Sequence, residues 1–441
     1  MPRTYRLKRG LQFPSTYRLS LKDIFMKILQ IGNTDLVGNR FNGHDLNKHF
    51  LKKGIDAQHC VWEKQSDDPN TWLLSGNFKR RILLFIILRA FEEKFSVQSL
   101  LYPFSYQLLF NRRFRSADIV HYHLIHTGFF NITSLPFLSR MKPSVWTLHD
   151  PWAMTGHCIY PYDCERWKTG CGKCPYLDTQ FAMQKDHTSL MWKIKKISYK
   201  ASKIDIIVAS KWMLNMAEQS PLLSKFRLHH IPFGIDLDIF RPTDTEEAKR
   251  QLGVFPGSLV ICFRTTESPF KGLSFIKECL HRLKIEQPVC LLTFNGRGLV
   301  DEFRGKYQII DLGWVNDEKL TVAAYNAADI FLMPSTAEAF GMMAMEAMAC
   351  GKPVIAFDGT SLPEVIFPPK GGIVVPQGDV DALHSALDRL IRNSDERLLL
   401  GRSARELAKQ HYNFAIHAEK ILDLYKEVIE RRKQEKHQNF R

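Results

Sequence analysis

Short apolar runs recur along the chain, each ending in a polar turn and followed by a longer stretch with helical spacing of its apolar positions. The clearest are IIVAS at 206–210, LVICFR at 259–264, VCLLTFNG at 289–296, IFLMPS at 330–335 and PVIAF at 353–357. Such alternation predicts an α/β protein with parallel sheets and helices on both faces. The first strand is expected at residues 26–32, MKILQIG, and two more lead into histidines, in DIVHYHLIHTG (118–128) and SVWTLHD (144–150). A length of 441 residues with 45% apolar content supports two cores. The boundary is read near residues 229–242, HHIPFGIDLDIFRP, where a strand, a turn and Pro242 follow one another. This divides the chain into a first doubly wound domain at 26–230, a second at 243–410, and a C-terminal helix and basic tail at 411–441. In such domains ligands bind at the carboxyl ends of the strands, here in the cleft between the two halves.

The segment 334–366, PSTAEAFGMMAMEAMACGKPVIAFDGTSLPEVI, carries the most chemistry. Glu346 lies in a run of strong helix formers that ends at Gly351, a natural C′ glycine, and Glu338 precedes that run in a loop. A carboxylate on the first turns of a helix can accept two hydrogen bonds from a ribose diol, and one in the preceding loop can reach sugar hydroxyls. Between them, Phe340 and Gly341 form a turn whose glycine lets backbone approach a ligand. The acid spacing, the Phe-Gly, the GKPVIAFD strand and the TSLPEVI turn together resemble the retaining glycosyltransferases of family 4, which have the GT-B fold, and more narrowly the cysteine-rich exopolysaccharide or colanic-acid type.

That resemblance implies roles for individual residues. Arg264 and Lys271, after the strand LVICFR and before a helix, stand where the family holds the donor diphosphate with a basic pair. Negative charge grows on the departing phosphate as the glycosidic bond breaks, and fixed cations with helix N-termini stabilise it without a metal. Glu346 would hold the ribose, Glu338 the sugar, and His149, at a strand end, would complete the sugar pocket beside Asp150. Gly313-Trp314-Val315 falls where the family's backbone meets the base, so Trp314 either stacks on the base or fills the core. In FNGRGLVDEF, Arg297 replaces the family's usual acid. In the first half Gly38-Asn39 replaces the usual adjacent glycines; Gly38 is a candidate for close backbone approach, and Arg40 or His44 for acceptor contact. Alternation puts His121 and His123 on one strand face, with core or supporting roles expected for both and for His126.

Four of the nine cysteines fall within an insert at 157–175: Cys158, Cys164, Cys171 and Cys174. The two-residue spacing of Cys171 and Cys174 grips zinc in many proteins, and the other two would complete a structural tetrathiolate, with His157 a substitute ligand. Two disulfides or free thiols are the alternatives. The remaining cysteines are scattered, several in apolar strands, which suggests a reducing compartment.

The formal charge of +15 is confined to three segments: 1–25, 76–115 and 431–441. Residues 1–25 carry six Lys or Arg against Asp23 without an apolar h-region, and read as a basic extension or a mis-assigned start rather than a secretory signal. No nucleic-acid-binding module accompanies the charge. Residues 76–115 flank apolar text such as ILLFIIL with Lys79-Arg80-Arg81 and Arg112-Arg113-Arg115. This suits a helix lying on an anionic membrane surface, although a buried helix with solvated ends fits the same text.

The expected activity is retaining, metal-independent transfer from a nucleoside diphosphate sugar to a hydroxyl of a glycan, lipid-linked, in surface or exopolysaccharide synthesis. The expected location is cytoplasmic, peripheral on the inner membrane face. A nucleotide-sugar epimerase on the same fold and a non-catalytic partner subunit are the alternatives.

Overall fold

A computed structural model describes residues 26–75, 78–179 and 181–438. The basic extension 1–25 and the side chains of Lys79 and Arg80 lie outside the described residues. Among the rest, the apolar runs form two entirely parallel sheets. The first contains β1 (Lys27–Thr34), β2 (Asp56–Glu63), β3 (Thr71–Leu73), β4 (Ile119–His123), β5 (Ser144–Leu148), β6 (Asp205–Val208) and β7 (Leu228–His230), in the order β3-β2-β1-β4-β5-β6-β7. The second contains β8 (Leu259–Thr265), β9 (Val289–Asn295), β10 (Gln308–Asp311), β11 (Ile330–Met333), β12 (Val354–Phe357) and β13 (Gly372–Val375), in the order β10-β9-β8-β11-β12-β13. Helices cover both faces, so the central strands are buried on both sides and read as unbroken apolar text; β4, β5, β11 and β12 have no exposed residue. Strand order reverses between β1 and β4 and between β8 and β11, which opens a crevice at each switch point.

Two passages of the chain join the halves side by side. Ile235 N–H donates to Tyr412 O at 2.7 Å, and Phe414 N–H returns to Ile235 O at 3.1 Å. The last helix, Phe414–Gln438, then packs on the first half, burying Ala418, Ile421, Leu422, Tyr425 and Val428 against Ile28, Phe50, Ile119 and Val145. The crossing-back helix is therefore present, and the two doubly wound sheets expected from the alternation are both found.

The helix Phe78–Phe95 inverts the usual arrangement. Its inward side carries Arg81, Phe85, Leu88 and Glu92. Arg81 Nη1 donates to Trp62 O at 2.8 Å, and Glu92 accepts from the backbone N–H groups of Ser99, Leu100 and Leu101 at 3.0, 2.7 and 2.9 Å. The outward side exposes Leu83, Leu84, Ile86, Ile87, Phe91 and Phe95. A buried helix with solvated ends is thus excluded: charged groups near both ends are buried and the apolar outer face is open. Among the described residues no helix is long and apolar enough to cross a membrane.

Candidate functional site

A cavity of about 220 Å³ lies at the carboxyl ends of the strands, lined from both halves of the chain. From the first half come Phe41, His149, Tyr160 and Phe233; from the second come Arg264, Lys271, Glu338, Phe340 and Gly341. Six residues singled out in the sequence therefore share one space: His149, Arg264, Lys271, Glu338, Phe340 and Gly341.

Each is placed by its local sequence. Arg264 stands near the end of β8, and in the amide orientation that satisfies both groups, Asn295 Oδ1 accepts from its Nη2 at 2.9 Å and its Nε at 3.2 Å. Lys271 follows Pro269 in a short 3-10 turn closed by Gly272 at φ +79°, where a Cβ would meet Pro334 O at 2.0 Å. Only glycine lets that turn lie against the segment after β11. Lys271 Nζ and Glu338 Oε1 form an ion pair at 2.6 Å with both side chains largely buried. Gly341, at φ +99°, opens the helix Met342–Ala349. Phe340 is edge-on to Phe233 and to Tyr412.

The loop that carries Glu338 is held from both halves. Thr360 Oγ1 accepts from Glu338 N–H at 2.9 Å, and Ser361 Oγ donates to Glu338 O at 3.0 Å. One residue on, Tyr160 Oη accepts from Ala339 N–H at 3.1 Å and Ser210 Oγ donates to Ala339 O at 2.6 Å. Nearby, Glu364 accepts from Lys211 N–H and Trp212 N–H at 2.8 and 3.0 Å, a second-half carboxylate on a first-half helix start.

His149 is stacked on Phe233, ring centroids 5.6 Å apart with planes 4° from parallel, and tilted against Phe41. Burial holds its pKa down at about 3, so the ring is neutral. Asp150 turns aside, accepting from Trp152 N–H at 2.9 Å and pairing with His126 Nε2 at 3.1 Å. Lys195 supports the turn that follows, donating to Trp152 O at 2.6 Å and Thr155 O at 2.9 Å.

Other expected residues lie elsewhere. Glu346 is 2% exposed and is not in the cavity wall: its Oε2 accepts from Tyr325 Oη at 2.7 Å, and Arg40 Nη2 lies 2.9 Å from its Oε1. Arg40 also lines a second cavity, of about 250 Å³, with Asp45, Lys48, Asp236 and Glu318. His44 is fully buried beside His59 and is no surface contact. Gly38, at φ +73°, sits against the Phe41 ring, where a Cβ would come within 2.5 Å; it shapes the cavity through Phe41 rather than lining it. Trp314 is 56% exposed and bonded to Asn316 Oδ1 at 2.7 Å, so it does not fill the core.

Cys158, Cys164, Cys171 and Cys174 line one small cavity with His157, whose Nε2 is 3.4 Å from Cys174 Sγ. Among the described residues, however, no group of three or more His, Cys, Asp or Glu is arranged to hold a metal ion, so the zinc expectation gains no support. Cys171 Sγ accepts from Gly156 N–H at 3.2 Å, and all nine cysteines are free, which also sets aside the two-disulfide alternative. What the insert does supply is Tyr160, packed on Phe270 at 5.2 Å and reaching the Glu338 loop.

Sequence reading did not find Phe41, Tyr160, Ser210 or Tyr325.

Residues 244–407 match the family described as Glycosyl transferases group 1. The chain is 28% identical over 231 residues to an MMP alpha-(1->4)-mannosyltransferase of Mycolicibacterium hassiacum, covering 49% of this chain and 54% of that protein. It is 24% identical over 377 residues to a D-inositol 3-phosphate glycosyltransferase of Mycobacterium marinum, covering 82% of this chain and 75% of that protein. A protein of Escherichia coli K12 named for colanic acid biosynthesis, WcaC, is 26% identical over 278 residues, or 59% of this chain and 65% of its own length. The chain thus spans about half the length of the first of these relatives. In fold it is similar to a sucrose-phosphate synthase of Thermosynechococcus elongatus, with a TM-score of 0.64 at 19% identity over 91% of this chain and 99% of the other. It is also similar to HepE of Anabaena in complex with UDP, with a TM-score of 0.63 at 16% identity over 91% of this chain and 100% of the other. Two parallel α/β halves facing one cavity, with a last helix returning to the first half, give this chain a GT-B fold, and its residues 244–407 match the glycosyl transferases group 1 family.

Proposed function

We propose that the protein is a retaining, metal-independent glycosyltransferase that moves a sugar from a nucleoside diphosphate sugar to a hydroxyl of a glycan in surface polysaccharide synthesis. The observation that carries this reading is the convergence of Arg264, Lys271, Glu338, His149 and Gly341 on one cavity at the strand ends. Two cations beside a carboxylate suit a donor whose diphosphate gains charge as its sugar leaves. Arg264 and Lys271 take that charge, Glu338 and His149 meet the sugar, and Glu346 meets the ribose once Arg40 has moved. The acceptor oxygen attacks from the face of the departing phosphate, which takes its proton, so the product keeps the donor's anomeric configuration. The relatives named for mannosyl and inositol-phosphate glycosyl transfer, and a neighbour bound to UDP, favour a nucleotide-sugar donor.

In this proposal the acceptor is lipid-linked and the protein works peripherally on an anionic, cytoplasmic membrane face. The support is the outward apolar side of the helix Phe78–Phe95, together with exposed Phe110, Arg112 and Arg115 in the segment that follows. The division into an acceptor-binding half (26–230) and a donor-binding half (243–410) belongs to the same proposal.

Thermal stabilisation by a panel of UDP-, GDP- and ADP-sugars, with and without EDTA, tests the donor reading. Stabilisation by one base series, indifferent to magnesium and lost in Glu346→Gln, is expected. No stabilisation by any donor would favour a non-catalytic partner role, and product formed from donor alone would favour an epimerase.

A further inference from the structure

A continuous hydrogen-bonded chain runs from the C-terminal helix to His149 through buried groups that no step above uses. Gln30, in the middle of β1, donates from Nε2 to Tyr425 Oη at 3.1 Å. Its Oε1 is 2.9 Å from His123 Nε2, and His123 Nδ1 is 3.4 Å from His149 Nε2. On the other branch, Tyr425 Oη is 2.6 Å from His121 Nδ1, and His121 Nε2 is 2.7 Å from Thr147 Oγ1. Gln30, His121 and His123 are buried, and burial keeps the His121 and His123 pKa values well below the ordinary one, so both rings are neutral.

Neutrality makes the proton positions follow from one another. A neutral imidazole carries one N–H and one lone pair. Gln30 Oε1 can only accept, so His123 carries its proton on Nε2 and offers a lone pair at Nδ1. His149 must then carry its proton on Nε2 to donate to it, which leaves His149 Nδ1 with a lone pair. The other branch is consistent: the Gln30 amide donates to Tyr425 Oη, the Tyr425 hydroxyl donates to His121 Nδ1, and His121 Nε2–H donates to Thr147 Oγ1. Each link of the chain then pairs one donor with one acceptor. Among the described residues no protein group is hydrogen-bonded to His149 Nδ1, while the ring lines the cavity and is held flat against Phe233.

We propose that Gln30 and His123 position His149 as its Nε2–H tautomer, so that His149 Nδ1 accepts a hydrogen bond from a hydroxyl of the donor sugar. The sugar contact rests on the glycosyltransferase reading; the tautomer does not. Gln30 is the deciding group, because rotating its amide would reverse every proton in the chain and turn His149 Nδ1 into a donor. In the structure the amide stands with Oε1 toward His123 and Nε2 toward Tyr425, and that orientation sets the direction of the chain. Gln30 and His123 act through His149 and are positioning residues.

The test begins with the ligand-free, full-length protein, its histidines labelled with ¹⁵N and His149 assigned by its loss in His149→Gln. Long-range ¹⁵N correlation spectra should show Nε2 of His149 protonated and Nδ1 bare in the wild type, and a mixture of tautomers in Gln30→Leu. Should Gln30→Leu fail to fold, Gln30→Met, which keeps the length of the side chain but removes both amide groups, should give the same mixture. A wild-type His149 protonated at Nδ1, or an unchanged tautomer in the folded variant, overturns the proposal. A second arm compares UDP with UDP-glucose, or the equivalent pair for the base selected by the stabilisation panel. In the folded variant the sugar nucleotide should bind roughly five- to tenfold more weakly, as for one lost hydrogen bond, and the bare diphosphate equally well. Equal weakening of both would make the chain a structural support only and overturn the positioning role. The expected tautomers with no effect on sugar-nucleotide binding would place the failure in the sugar contact.

Discussion

Arg40 Nη2 lies 2.9 Å from Glu346 Oε1, a contact between a loop after β1 and a helix of the other half of the chain. Tyr325 occupies the second carboxylate oxygen, so Glu346 is screened from the cavity on both sides. If Glu346 is the ribose ligand, Arg40 must leave before a donor can settle, and the pair acts as a latch between the halves.

Replacing Arg40 with Ala should therefore have two opposite effects. The ligand-free protein should lose roughly 3 kcal/mol of stability, because a buried carboxylate loses its cationic partner. Nucleoside diphosphate should bind several-fold more tightly, because its site is no longer blocked. Calorimetric titration with UDP and GDP beside a denaturation curve measures both; weaker binding would mean that Arg40 itself contacts the donor.

Lys271→Ala and Glu346→Gln should separate chemistry from binding. Loss of the Lys271 charge from the leaving phosphate should lower kcat by about 10² to 10³ with a smaller change in KM. Glu346→Gln should mainly raise the donor KM. The two variants behaving alike, or both like wild type, would defeat the assignment of roles.

The open face of the helix Phe78–Phe95 gives a prediction independent of catalysis. Leu83→Glu with Ile87→Glu places charge only at exposed positions, so the melting temperature should change little. Flotation with vesicles rich in anionic lipid should be lost. If the wild-type protein does not float with such vesicles, the membrane proposal fails outright.

Acid should destabilise the fold unusually early. Burial lowers the pKa of His417 to about 4, of His59 and His149 to about 3, and of His121 and His123 well below the ordinary value. All five stay neutral in the folded protein but take up protons on unfolding once the pH falls below about 6.5. The unfolded state binds more protons in that range, so their contribution is complete above about pH 6.5 and is lost on descent towards pH 4 and below. The slope is on the order of 1.4 kcal/mol per pH unit for each fully titrating histidine. Burial raises Glu92 and Glu318, which opposes part of the loss. Urea midpoints at pH 7.5, 6 and 5 should fall in that order; a constant midpoint would show that these rings are not buried neutral.

What the sequence reveals and what it hides follow from how far apart the interacting residues are. β8, β9, β11 and β12 are legible because a strand buried on both faces must be apolar throughout, a local property. Gly341 and the helix after it are legible for the same reason, since a turn and a helical run occupy adjacent residues. The partners of these elements are not. Arg40 meets Glu346, Tyr160 meets Ala339 and Gln30 meets Tyr425 only because two halves close and a last helix returns, and no local pattern encodes those distances. Trp314 shows the opposite case: a large apolar residue beside a strand reads as core or as a stacking surface, and its exposure, tied to Asn316, removes the core reading.

Glu338 is fastened through Thr360 and Ser361 of its own half, and Ala339 through Tyr160 and Ser210 of the other. The seam between the two halves therefore passes between consecutive residues. Any motion that parts the halves tugs on the peptide unit beside the carboxylate proposed to meet the sugar. Opening the cleft and loosening the site are then linked through one peptide unit, while Lys271, from the same half, keeps its grip on the carboxylate itself.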